Sequence, residues 1–190
     1  MNLANKITIF RVILIPFFVE MIIKFNQLPP GQGEVFRWAA IAVFSLAVLS
    51  DAVDGFIARR RHQITELGKA LDPIADKLLL LSAVIILSFT GRMAKLPLWF
   101  VVSVLSRDFL ILLGALMLYL FADEGHLKIA PSLLGKATTV AQMSTVLWIM
   151  LGLRHPEWAW RAAGFFTVAS GIGYLVSASR QFNEPAAVSK

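Results

Sequence analysis

The chain has 190 residues, 57% apolar and 16% charged, and a mean hydropathy of +0.71. A soluble domain is roughly 45–50% apolar and about 25% charged, so an ordinary water-soluble globule is excluded. The absence of cysteine excludes a disulfide framework, a thiolate metal site and a cysteine nucleophile. A net charge of +6 on so apolar a chain points to an anionic membrane surface rather than to nucleic acid.

Apolar runs near the ~20 residues that cross a bilayer fall at Ile7–Phe25, Val35–Ala58, Lys69–Thr90, Leu96–Phe121, Leu133–Leu153 and Trp158–Ser179. They predict an all-α integral membrane protein with six transmembrane helices, a single domain over 1–190, and a disordered tail from about 181 to 190. The opening NLANKITIFR reads as a short segment lying in the interface. Arg11 and Glu20 interrupt the first run and no small-residue cleavage site follows, unlike a secretory signal. Breakers separate the runs: Leu28-Pro29-Pro30-Gly31, Thr90-Gly91, Ala130-Pro131 and His155-Pro156. Trp38, Trp99, Trp158 and Trp160 read as interfacial residues, and Trp148 as packing.

Six spans place both ends of the chain on one side. Lys6, Arg11, Arg59, Arg60, Arg61, Lys69, Lys128, Lys136, Arg180 and Lys190 fall there, against Lys24, Arg37, Arg92, Lys95, Arg154 and Arg161 opposite. The positive-inside rule assigns the first side to the cytoplasm.

The stretch DAVDGFIARRRHQITELGKALDPIAD, residues 51–76, carries four aspartates. Asp51 and Asp54 lie near the end of the second predicted helix, Asp72 and Asp76 near the start of the third. Spacings of three and four put each pair on one helical face. An aspartate within the membrane costs ~2.5–3.5 kcal/mol on insertion scales, and crowded carboxylates repel one another and take up protons. Neighbouring arginines offset one or two such charges but do not account for the spacing. Mg²⁺ or Mn²⁺ prefers oxygen ligands and shares them with substrate phosphates; four carboxylates suit a two-metal site that clamps a pyrophosphate. Gly55 and Ala58 follow Asp51 and Asp54 by one turn and leave space for a bulky ligand. Arg59 can grip a phosphate, and Gly68 permits close backbone approach. A divalent-cation transporter would also need intramembrane acids, but spread through the bilayer depth rather than gathered at one end. A purely structural bundle gives the acids no purpose.

At these residues the chain resembles the CDP-alcohol phosphotransferase family, whose motif is D-x-x-D-G-x-x-A-R, eight or nine residues, then G-x-x-x-D-x-x-x-D. Here it reads Asp51-x-x-Asp54-Gly55-x-x-Ala58-Arg59, then Gly68-x-x-x-Asp72-x-x-x-Asp76. The resemblance implies a phospholipid-forming transferase in which an alcohol attacks a CDP-linked lipid and CMP is released. It also implies that Asp51, Asp54, Asp72 and Asp76 hold two divalent ions, Mg²⁺ or Mn²⁺, with Asp76 as general base. Gly55, Ala58, Arg59 and Gly68, together with Asp51 and Asp54, would line the nucleotide pocket.

NLANKITIFRVILIP is similar to the N-x-P-N-x-L-T-x-x-R-x-x-x-x-P opening of the branch that uses glycerol 3-phosphate. Asn5, Thr8, Arg11 and Pro16 match, with Ala4 and Ile7 in place of proline and leucine. From this, Asn5 and Thr8 are expected beside the CDP-diacylglycerol. LLGKATTVAQM resembles that branch's L-G-K-x-x-T-x-x-Q-M segment. A dianionic acceptor needs further cations, and the candidates are Lys136, Arg107 and Arg180. An Arg107-Asp108 pair without a second arginine before Lys128 also resembles the branch that joins CDP-diacylglycerol to phosphatidylglycerol, the alternative acceptor. The resemblance implies a homodimer in a bacterial cytoplasmic membrane, its site facing the cytoplasm.

Overall fold

A computed structural model describes the backbone of residues 3–61, 66–121 and 133–183, and the side chains of residues 9–50, 75, 77–114 and 133–177. The described residues form six α-helices and no strand: α1 (Leu3–Gln27), α2 (Glu34–Arg61), α3 (Glu66–Phe89), α4 (Leu98–Phe121), α5 (Leu133–Met150) and α6 (Pro156–Asn183). They fall into two compact units, Met1–Leu96 with Val146–Arg154, and Pro97–Thr145 with His155–Lys190.

In the first unit α1 packs on both α2 and α3, and α2 also touches α3. Each helix buries a stripe at helical spacing: Phe18, Ile22 and Phe25; Ala40, Phe44 and Ala47; Ala75, Leu79, Ala83 and Leu87. The Phe18 and Phe44 rings meet at 5.5 Å. Arg92 ties down the end of α1. Its guanidinium donates to the carbonyls of Phe25, Leu28 and Gln32 and lies 4.2 Å from the Phe25 ring centre. The Phe25 carbonyl, in the last turn of α1, has no partner within its own helix and needs one from elsewhere.

The sequence boundaries shift where local chemistry decides them. NLANKITIFR is not a separate segment: from Leu3 it is continuous with α1, because nothing in it breaks a helix. The fourth helix starts at Leu98 rather than Leu96, with the Pro97 carbonyl accepting from the Phe100 amide at 3.0 Å. The fifth stops at Met150. Gly152 adopts φ +65°, and the amides of Gly152 and Leu153 return to the carbonyls of Ile149 and Trp148. This is the glycine-terminated helix end that a left-handed residue permits. Trp148, expected in packing, is 39% exposed, and its indole N–H donates to Arg154 O. The last helix runs through Asn183, so residues 181–183 of the expected tail are helical.

In the second unit α4 packs on α6. Gly164 makes room for Trp99, whose ring a Cβ at that position would meet at 2.6 Å. Between α5 and α6 runs a buried ladder of polar groups. Thr138 Oγ1 donates to Phe166 O at 3.0 Å, Gln142 Nε2 to Thr167 Oγ1 at 2.8 Å, and Thr145 Oγ1 to Ala159 O at 3.1 Å. Among the described residues no helix is long and apolar enough to cross a membrane.

Candidate active site

The aspartates occupy the C-terminal end of α2 and the N-terminal end of α3, two consecutive helices. Asp51, Asp54, Gly55, Ala58 and Arg59 lie in the last three turns of α2, and Gly68, Asp72 and Asp76 in the first three turns of α3. Both helices belong to the first unit, both pack on α1, and they touch each other. Ala75, between Asp72 and Asp76, is completely buried. Asn5 and Thr8 are in the first two turns of α1. The side chains of Asn5, Thr8, Asp51, Asp54, Gly55, Ala58, Arg59, Gly68, Asp72, Asp76 and Arg180 lie outside the described residues.

The donor set suits a hard divalent cation. It offers carboxylate oxygens at i, i+3 and i, i+4 spacing, and the chain contains no cysteine to compete for a softer metal. Among the described side chains there is no cluster of three or more acidic, histidine or cysteine residues that could hold a metal.

The expected acceptor cations lie in the second unit. Arg107 is buried at 6% exposure, as is Asp108 at 5%. Successive helical residues diverge by about 100°, yet the two side chains meet, with Arg107 Nη1 2.8 Å from Asp108 Oδ1. Arg107 Nη2 also donates to Ser170 Oγ on α6 at 3.3 Å and faces the Gly135 carbonyl of α5 at 3.5 Å. Burial of a guanidinium is tolerable only when paired and hydrogen-bonded, and three helices contribute to that here. Lys136 follows Gly135 in the first turn of α5 and is exposed. The structure therefore brings Arg107 to the turn that bears Lys136. Arg180 is ten residues beyond Ser170 on α6, about 15 Å along the helix.

Sequence reasoning missed three features. Arg11, counted as a flanking charge, is 1% exposed within the first unit. Ser170, a serine in an apolar run, gave no signal of contact with Arg107. The α5 ladder did have a signal, because Thr138, Gln142 and Thr145 recur at helical spacing among apolar residues.

Comparison with known proteins gives the family. The family model for CDP-alcohol phosphatidyltransferase matches residues 1–174. The chain is 37% identical over 187 residues to a Bacillus subtilis (strain 168) protein named CDP-diacylglycerol--glycerol-3-phosphate 3-phosphatidyltransferase, covering 92% of this chain and 93% of that one. Proteins of the same name from Salmonella paratyphi A and Escherichia coli K12 are 34% identical, over 154 and 151 residues, with 78% of this chain and 76% of each relative covered. A match that runs through α1 to α5 and into α6 takes in both the acidic helix pair and the buried arginine, and on it the chain belongs to the CDP-alcohol phosphatidyltransferase family.

Proposed function

We infer that this chain is a CDP-diacylglycerol–glycerol-3-phosphate 3-phosphatidyltransferase, an enzyme of phospholipid biosynthesis. It transfers the phosphatidyl group of CDP-diacylglycerol to glycerol 3-phosphate, giving phosphatidylglycerophosphate and CMP. The observation that carries this reading is the likeness to relatives of that name along nearly the whole chain, joined to an intact acidic motif on α2 and α3.

In this reading Asp51, Asp54, Asp72 and Asp76 hold two divalent ions, Mg²⁺ or Mn²⁺. Bound there, the ions would supply charge neutralisation for the diphosphate and for the CMP leaving group. Asp76 accepts the proton of the acceptor hydroxyl as its oxygen bonds to the phosphatidyl phosphorus. The bond from that phosphorus to the CMP oxygen breaks, and CMP departs with the electron pair. Gly55, Ala58 and Gly68 leave room for the nucleotide, while Arg59, Asn5 and Thr8 bind it. Arg107, Lys136 and Arg180 receive the acceptor phosphate. Positioning and charge stabilisation provide most of the acceleration, without a covalent enzyme intermediate.

The same reading sets the protein in a bacterial cytoplasmic membrane as a homodimer, its α2–α3 acidic ends at the cytoplasmic face. Large apolar side chains on the outside of several helices support a lipid surround, among them Phe17, Phe109, Leu112, Phe165 and Ile172, each more than half exposed.

The test is CMP release by purified protein with CDP-diacylglycerol and one acceptor at a time: glycerol 3-phosphate, phosphatidylglycerol, inositol phosphate or serine. Release is expected with glycerol 3-phosphate. Release with phosphatidylglycerol alone would replace this acceptor by the other, and cation flux without CMP would replace the enzyme by a transporter.

A further inference from the structure

Arg107 is fixed at two of its nitrogens by two different helices. Asp108 accepts from Nη1 at 2.8 Å and Ser170 from Nη2 at 3.3 Å. The ion pair with a helical neighbour restrains one nitrogen and leaves the guanidinium free to turn about it. A second restraint from α6 settles the plane. Gly171 assists: a Cβ there would lie 3.8 Å from Arg107 Cγ, so the arginine stem runs close along α6. A guanidinium has five N–H donors, and here Nε is buried with no hydrogen-bond partner among the described residues. A buried donor left unsatisfied is unfavourable, and an arriving anionic oxygen is the kind of group that would complete it.

We propose that Ser170 is a positioning residue for acceptor recognition, its hydroxyl setting the plane in which Arg107 offers its remaining donors to the phosphate of glycerol 3-phosphate. This rests on the reading of Arg107 as an acceptor-phosphate ligand. A neutral hydroxyl suits the task. Asp108 already balances the buried cation, and a second carboxylate would make the cluster repel a dianionic acceptor. Serine orients the guanidinium without cancelling its charge, and its side chain is 5% exposed, so water does not substitute for it.

The experiment is steady-state CMP release by the purified full-length chain, with each substrate varied in turn, on Ser170→Ala, Arg107→Lys and the double variant. Ser170→Ala is expected to raise KM for glycerol 3-phosphate by about three- to tenfold, the range of one hydrogen bond. KM for CDP-diacylglycerol and kcat should stay within about twofold, since those interactions are untouched. Arg107→Lys replaces the planar fork by a point charge and should raise the same KM further. Adding Ser170→Ala to it should then change nothing more, because no plane remains to be set. If Arg107→Lys raises the acceptor KM but Ser170→Ala does not, or if the two effects multiply, the positioning role is overturned and the reading of Arg107 stands. Equal rises in both KM values for Ser170→Ala mean a packing role and also overturn it. An acceptor KM unmoved by Arg107→Lys overturns the reading of Arg107, and this inference with it.

Discussion

The acids of α2 and α3 and the acid of α4 stand in opposite circumstances. Asp51, Asp54, Asp72 and Asp76 recur at three- and four-residue spacing in the last turns of one helix and the first turns of the next. Asp108 is buried beside a cation at 2.8 Å. Crowded carboxylates raise the energy of the empty protein and lower it only when a cation arrives. A buried carboxylate paired with arginine is needed for the fold itself, since removing it strands a charge. In the proposed reading the first arrangement serves chemistry at the expense of stability, and the second is structural.

Asp76→Asn gives the largest contrast. If Asp76 is the general base, as proposed, kcat for CMP release should fall by roughly 10²–10⁴, the usual contribution of a positioned general base. The melting temperature measured in EDTA should hold or rise, because one of four repelling charges is gone. A fall in both would erase the distinction between the two regions.

Asp108→Ala should do the reverse. Stranding Arg107 is expected to cost about 3–5 kcal/mol of stability, read as a lowered denaturation midpoint in detergent. An unchanged midpoint would mean that Arg107 does not depend on its neighbour, and the contrast would then rest on the α2–α3 acids alone.

A smaller effect tests whether burial or charge makes the second unit sensitive. Gln142 is completely buried, and its Oε1 has no hydrogen-bond partner among the described residues. Thr167 Oγ1, which accepts from Gln142, still donates to Ala163 O at 2.7 Å when the glutamine is replaced. Gln142→Leu therefore removes an unsatisfied acceptor and strands no new donor. It should change stability by no more than about 1 kcal/mol, again by denaturation midpoint. A loss as large as that of Asp108→Ala would show the ladder to be as critical as the ion pair.

The smallest effect is expected at an exposed acid. Glu157, in the first turn of α6, has its carboxyl held below the ordinary glutamate value of 4.5 by a backbone hydrogen bond and by His155, whose Nδ1 lies 2.9 Å away. A depressed carboxyl contributes stability above its unfolded value and loses it as pH falls through its folded value. Glu157→Gln should thus lower the melting temperature slightly at pH 7 and leave it unchanged at pH 2. An effect that grew on acidification would reverse the sign assigned here.

The sequence was most informative where charge is expensive. Six apolar runs and their breakers anticipated six helices to within a few residues, because hydropathy and proline act locally. The acidic motif was legible because an aspartate in an apolar run is costly unless a cation or a wet cavity receives it. Arg107 stood out for the same reason. Arg11 did not, because a basic residue near the start of an apolar run reads equally well as a flanking anchor, and only packing within the first unit shows it buried.

By itself the sequence determined the helices, the carboxylate spacing and the kind of ligand such carboxylates demand, all of which follow from short-range periodicity and charge. Only tertiary structure decided which groups satisfy the buried polar atoms. Ser170 and Arg107 are 63 positions apart, Thr138 and Phe166 are 28, and no local pattern specifies such pairs. Their meeting depends on how α4, α5 and α6 pack, because a buried donor takes whichever acceptor the neighbouring helix presents.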